Sequence, residues 1–287
     1  MFEFVKNKRL KAYLLKRHAE PTVILCFVVL LESYLESSPR KKEMTKSEVE
    51  KVFNKRIRDF GINTFRRDYL KRQSGDPRNA IDENQSQSFY LRDDFLSDET
   101  QASFQRIIHE IKHFYKNRQN QGQKLIAEIR KTMESDYQTK KDYISSFLKD
   151  NSHESIKGRN FEIITYALLR VYFGSFGFLL NRFSTTFAND AGMDLIGQQA
   201  VYQVTVNMNK KKFEEDIIKT PDIRRIIVYK EVVKGFDTRL FSNPLVSRVI
   251  TLIDLESYLD NLSKYEYQDY LGKILETMKH ELERELA

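Results

Sequence analysis

Gly192-Met193-Asp194-Leu195-Ile196-Gly197, followed three residues later by Val201-Tyr202-Gln203-Val204-Thr205-Val206-Asn207, is the stretch on which the fold turns. Residues 193–196 read as a short strand, and Val201, Tyr202, Val204 and Val206 give residues 201–207 the β-rich composition of a longer one. Strand side chains repeat every two residues, so Gln203, Thr205 and Asn207 share one face and Asp194 can face Gln203.

Working upstream, Phe161, Ile164, Thr165, Leu168, Leu169 and Tyr172 recur at spacings of three and four, which predicts an amphipathic helix over 158–172 with Glu162 near its start. Gly174 and Gly177 punctuate the chain, and 178–183 reads as a first strand. Downstream, 209–219 reads as a charged helix stopped by Thr220-Pro221. The continuous apolar run at 225–229 has the character of a buried strand, and a strand over 249–253 and a helix over 255–270 follow. The order is helix, three strands, helix, strand, an α/β sheet unit. A carboxylate on a helix, an Asp entering a strand and polar groups alternating on the next strand can converge on one divalent metal. The chemistry this suggests is metal-assisted phosphodiester cleavage.

Gly158-Arg159-Asn160-Phe161-Glu162, then Gly192-Met193-Asp194, then Gln203-Val204-Thr205, in this order and on these elements, resembles the PD-(D/E)XK nuclease superfamily, in particular Mrr-like restriction endonucleases. Their pattern is Gly-x-x-Phe-Glu, Gly-x-Asp and Gln-x-Lys, and the likeness covers roughly 155–260. The resemblance implies an αβββαβ core in which Glu162, Asp194 and Gln203 surround Mg²⁺. Two departures stand out: Thr205 occupies the position of the catalytic Lys, and Met193 precedes the Asp where the family has Pro. Thr205 cannot offer a positive charge to the attacking water or the scissile phosphate. Lys210, Lys211 and Lys212, which open the next helix, are the nearest substitutes in sequence, with Lys157 and Arg159 more remote. The same lysines also suit a solvated helix face or phosphate contacts.

Lys+Arg of 48 against Asp+Glu of 41 gives a net charge of +7. Its distribution is uneven: residues 1–80 hold 19 Lys/Arg and 10 Asp/Glu, hence +9, leaving −2 for the rest. A positive field of this kind steers polyanions irrespective of base sequence. Length and a 40% hydrophobic content support two domains, a helical one over 1–150 and an α/β one over 151–287. Residues 21–35 predict a strongly apolar helix, and Thr45-Lys46-Ser47-Glu48 a capping box opening a basic helix that ends before Gly61. Next comes a segment at 63–72 carrying Arg66, Arg67, Lys71 and Arg72, so a helix-turn-helix or winged-helix DNA reader within 21–72 and a plain helical bundle are both open. Residues 73–100 are polar and turn-rich, as in a linker or a DNA-facing loop, and two helices are expected over 99–149, broken near Asn120-Gln121-Gly122.

His109-Glu110-Ile111-Lys112-His113 matches H-E-x-x-H, which on a helix presents two His for Zn²⁺ and a Glu to activate water. Charged Lys112 is atypical of that motif, and Glu128 or Glu134 would have to serve as third ligand. The single Cys26 excludes a disulfide framework within one chain. The apolar run around it is too short to cross a bilayer and lacks the form of a signal peptide, so no membrane association and a cytoplasmic location are expected. Phosphate-binding Gly-rich loops and a Gly-x-Ser-x-Gly turn are missing from the sequence. The expectation is a type II restriction enzyme acting on double-stranded DNA as a homodimer with Mg²⁺. The alternatives are a nuclease-like DNA-binding protein without catalysis and a zinc peptidase.

Overall fold

The computed structural model describes residues 2–18, 21–36, 43–56, 76–150, 157–182, 194–198, 200–219 and 223–286. The chain is a mixed α and β protein that divides into two compact units, Met1–Leu125 with Glu283–Ala287, and Ile126–Leu282. Residues 126–150 thus belong to the unit that carries the larger sheet.

The first unit contains α1 (Lys8–Arg17), α2 (Pro21–Glu36), β1 (Glu43–Thr45), α3 (Lys46–Arg56), β2 (Ile81–Glu83), β3 (Ser88–Leu91), a short α4 (Asp93–Leu96) and most of α5 (Gln101–Met133). From Val23 to Leu31 no residue of α2 is more than 3% exposed, as expected of a helix apolar on all sides that forms the centre of a core. Leu10 and Leu14 of α1, Phe89 and Leu91 of β3, and Phe104, Ile107 and Ile111 of α5 complete that cluster. Cys26 lies inside it at 1% exposure, and burial pushes its thiol far above the ordinary range. The capping box forms: Thr45 N donates to Glu48 Oε2 at 2.8 Å and Glu48 N to Thr45 Oγ1 at 3.3 Å.

Two expectations for this half are corrected. Residues 73–100 are not a linker from Asp76 onward. Antiparallel β1, β3 and β2 make a small sheet in the order β1-β3-β2, and its aliphatic and Phe residues, Met44, Ile81, Phe89 and Leu91, are all buried. The polar string that looked like a linker is the hairpin turn, where Asn84 Oδ1 accepts from Ser88 N at 2.9 Å and Gln87 takes a positive φ of 59°. Nor does the long helix break near Gly122, since α5 runs from Gln101 to Met133. A glycine inside a helix costs only about 1 kcal/mol, and here it admits a close neighbour, because an added Cβ would lie 2.9 Å from the Leu286 side chain. The break comes at Asp136, whose side chain accepts from Thr139 N at 2.9 Å and caps the next helix.

The second unit holds α6 (Tyr137–Lys149), α7 (Lys157–Gly174), β4 (Leu180–Arg182), β5 (Leu195–Gly197), β6 (Val201–Met208), α8 (Lys210–Lys219), β7 (Arg225–Val232), β8 (Val246–Ile250), α9 (Leu252–Leu262) and most of α10 (Tyr270–Leu286). The strands form one mixed sheet in the order β4-β5-β6-β7-β8, antiparallel through β6 and parallel from β6 to β8. The α7 helix packs on β4 and β6, and α6 and α9 pack on α7. The strand expected at 249–253 ends at Ile250, because Thr251 and Asp254 form a reciprocal capping box that starts α9. The helix expected to reach residue 270 stops at Leu262, and α10 starts afresh at Tyr270 behind the left-handed Asp269.

Candidate functional site

Residue Asp194 stands at a fork in the sheet. Leu195 is registered with Tyr202 and Ile196 with Val201, so the β5–β6 ladder ends as the chain reaches Asp194, while β6 runs on to Met208 beside β7. Its backbone N–H donates to Tyr202 O at 3.0 Å, and its Oδ2 accepts from Val204 N at 2.6 Å and from Gln203 Nε2 at 3.0 Å. The carboxylate therefore takes over the next ladder position of β6 and fixes the Gln203 amide. With its nitrogen turned to Asp194, Gln203 presents an Oε1 that is buried and has no hydrogen-bond partner among the described residues. An orphaned buried acceptor costs about 1–3 kcal/mol, which makes it a place where a ligand would be gained cheaply.

The third expected ligand is not brought to this pair. Glu162 Oε1 accepts from Arg182 Nε at 2.6 Å, and Arg182 donates through Nη1 to Glu281 Oε2 at 2.9 Å. The Arg182 side chain is 0% exposed, with Glu162 and Glu281 at 13% and 7%. Arg182 is registered with Leu195, and Leu195 with Tyr202, so these share one face of the sheet. Gln203, next along β6, projects from the other. Glu162 is accordingly drawn to the α7 side, away from the face that carries Gln203, and it binds a buried guanidinium.

Thr205 is 6% exposed on the Gln203 face and its hydroxyl lies 3.4 Å from Asn207 O. The lysines after β6 are distant from the pair. Strand β6 extends to Met208, so Asn209 lies roughly 20 Å of extended backbone beyond Gln203 at about 3.3 Å per residue. Lys210 and Lys211 are exposed, Lys210 with Nζ 3.8 Å from Glu214, while Lys212 donates its backbone N–H to Asn209 Oδ1 at 2.9 Å at the start of α8. They are correctly assigned to the helix start, but that start is not beside Gln203. Arg159 and Lys157 open α7. Arg66, Arg67, Lys71 and Arg72 lie outside the described residues.

Sequence reasoning passed over two buried arginines. Arg182 falls within the strand expected at 178–183, where nothing local marks it as buried. Arg225, 1% exposed, opens β7 opposite Val201 and so stands on the same face as Gln203. The available signal was a charged residue set directly into an apolar strand run. No family model and no curated protein matches the chain.

His109 and His113 do lie one turn apart on α5, with ring centroids 6.2 Å apart and planes at 14°, and both are exposed. Glu110 sits 3.9 Å from Arg106, and Lys112 pairs with Glu32 at 2.9 Å. Among the described residues no three His, Cys, Asp or Glu side chains are grouped so as to hold a metal, here or around Asp194. Nor is any described helix long and apolar enough to cross a membrane.

Proposed function

We propose that the sheet unit is a Mg²⁺-dependent endonuclease of the PD-(D/E)XK type acting on double-stranded DNA, with Asp194 at its centre. The observation that carries this reading is the Asp194–Gln203 pair at the β5–β6 fork, in which Gln203 Nε2 meets the carboxylate and its buried Oε1 has no partner among the described residues. The element order α7, β4-β5-β6, α8, β7 supports it, since the sheet runs antiparallel and then parallel in the sequence expected of that core.

The residues present suit the ion. Mg²⁺ takes oxygen ligands, keeps several waters and is commonly held by one or two carboxylates, so Asp194 and Gln203 Oε1 would hold it and water would complete the shell. When bound, the ion would lower the pKa of a water and offset charge on the scissile phosphate. The protein's own part is positioning: Val204 N–H and Gln203 Nε2 fix Asp194 Oδ2, and Asp194 in turn fixes the amide. Glu162 belongs on this reading to the Arg182 brace. Arg225, on the Gln203 face, is the strand-borne cation placed to offset the charge that Thr205 cannot. A homodimer would place two such sites on the two strands of a duplex.

A second reading, a DNA-binding protein without cleavage, draws on Thr205 in place of a lysine. Supercoiled plasmid incubated with Mg²⁺ or with EDTA separates the two: metal-dependent nicking or linearisation supports the nuclease, and an intact plasmid with retained binding supports the alternative.

A further inference from the structure

A second surface of the sheet unit carries features that the Asp194 site does not use. Between the end of α5, α6, α7 and the start of α10 lies an open groove of about 650 Å³, lined by Met133, Lys140, Arg170, Val171, Lys273 and Thr277 among others. That volume suits a ligand of nucleotide size.

The charges in the groove are unequal in availability. Glu276 is held by Lys279 Nζ at 2.7 and 2.8 Å and by His280 Nε2 at 3.1 Å. Asp269 accepts from Gly272 N at 3.2 Å and lies 3.7 Å from Lys140 Nζ. Gly272 lets the Asp269 carboxylate fold back onto its backbone N–H, and a Cβ there would push that side chain aside. Arg170 and Lys273, by contrast, have no carboxylate partner among the described residues. Arg170 meets the Tyr166 hydroxyl at 3.1 Å, and Lys273 Nζ lies 5.1 Å from the centre of the Tyr270 ring.

Through Tyr270 the groove continues into a row of aromatic rings. Tyr265 lies 6.5 Å from Tyr270 and 6.4 Å from Tyr267, ring centre to ring centre, and Tyr265 and Tyr267 are 49% and 81% exposed. It is the adjacency of these open rings, rather than the exposure of any one of them, that marks an interaction surface. Glu266 lies between Tyr265 and Tyr267 in the chain, and Lys264, before Tyr265, donates through Nζ to Asn261 Oδ1 at 3.1 Å.

We propose that this groove and tyrosine row bind an unpaired polynucleotide strand, with bases stacked on Tyr265 and Tyr267 and phosphates on Arg170 and Lys273. Stacking rings beside unpaired cations are the two elements by which proteins hold single strands without reading their sequence. A duplex hides its base faces and would leave the tyrosines unused. The site is separate from the Asp194 pair and does not depend on cleavage.

The test is fluorescence anisotropy of the full chain with a labelled oligothymidylate, an oligouridylate and a duplex of equal length, all in EDTA. Both single strands should bind, and the groove variants should weaken that binding without weakening binding of the duplex, which the proposed nuclease reading assigns to other surfaces. Tyr267→Ala should weaken binding about fivefold or more, while Tyr267→Phe, which keeps the ring, should bind as the parent does. Arg170→Glu and Lys273→Glu should each lower the slope of log affinity against log salt by about 0.7. The Asp194→Ala variant should bind the strands unchanged, so loss of the nuclease reading would leave this result standing. Unchanged binding in both Tyr265→Ala and Tyr267→Ala would overturn the proposal. So would an equal loss of duplex binding in those variants, or displacement of the strand by tripolyphosphate at equal phosphate concentration.

Discussion

The Arg182 side chain is wholly buried and touches carboxylates on two different helices, Glu162 of α7 and Glu281 of α10. Removing one member of a buried ionic group leaves the others charged without compensation, at a cost of about 3–5 kcal/mol. Arg182→Met should therefore lower the unfolding free energy from urea titration by that order, and an unchanged value would show that the brace carries no weight. Glu162→Gln and Asp194→Ala should differ in kind. The first weakens a charge-assisted bond to Arg182 and should appear chiefly as lost stability. Asp194→Ala removes the carboxylate that orders Gln203 and should abolish cleavage while DNA binding persists. Measuring unfolding and plasmid cleavage on both variants separates the roles, and a Glu162→Gln protein of full stability without cleavage would return Glu162 to the metal. From sequence alone Glu162, Asp194 and Gln203 formed one set. The period-two alternation placed Asp194 with Gln203, whereas the capture of Glu162 by Arg182 is a long-range contact that no local pattern encodes.

Element lengths decide the fate of the Lys210–Lys212 cluster. Residue spacing predicts a strand over 201–207 and a helix over 209–219, and β6 and α8 form there; the length of that strand carries the lysines beyond the pair. Single Lys210→Ala, Lys211→Ala and Lys212→Ala variants should cut at parental rates under saturating DNA, and a large loss in any one of them would contradict this placement. Strands and helices with strong periodicity were legible: the apolar α2, the Thr45–Glu48 box, α7 and the central strands all form where their patterns indicate. What escaped were boundaries set by single polar residues. Thr251 and Asp254 end β8 and start α9 through a reciprocal cap, and Asp136 does the same for α6. Burial tends to raise the Asp254 pKa and is its largest single influence, but the Thr251 hydrogen bonds and the Arg248 charge together hold it below its ordinary 3.8. A depressed carboxylate stabilises the fold above its unfolded pKa and loses that contribution as pH falls through the folded value. The stability gap between parent and Asp254→Asn should therefore be constant near neutrality and shrink below about pH 4. A gap independent of pH down to 2 would argue against the cap. Thr251→Ala should cost about 1 kcal/mol.

At the scale of the whole molecule, the sequence's charge asymmetry and the two compact units invite a division between gripping and cutting. Part of the basic excess of residues 1–80, including Arg66, Arg67, Lys71 and Arg72, lies outside the described residues, so its contribution is approached through binding. If these side chains meet phosphates, each Ala replacement should reduce the salt slope on duplex DNA by about 0.9. Four unchanged slopes would move the duplex contact elsewhere. The hairpin at Ile81–Leu91 was hidden because its polar turn outnumbers its apolar anchors, and the small sheet is held by pairing to β1 across more than thirty-five residues of chain. The central claim, that the Asp194–Gln203 fork is a Mg²⁺-dependent cutting centre, is met most directly by one assay on supercoiled plasmid, comparing parent and Asp194→Ala with Mg²⁺ and with EDTA. The account predicts nicked and linear product from the parent with Mg²⁺ alone. Cleavage by Asp194→Ala at the parental rate, or by the parent in EDTA, would contradict it.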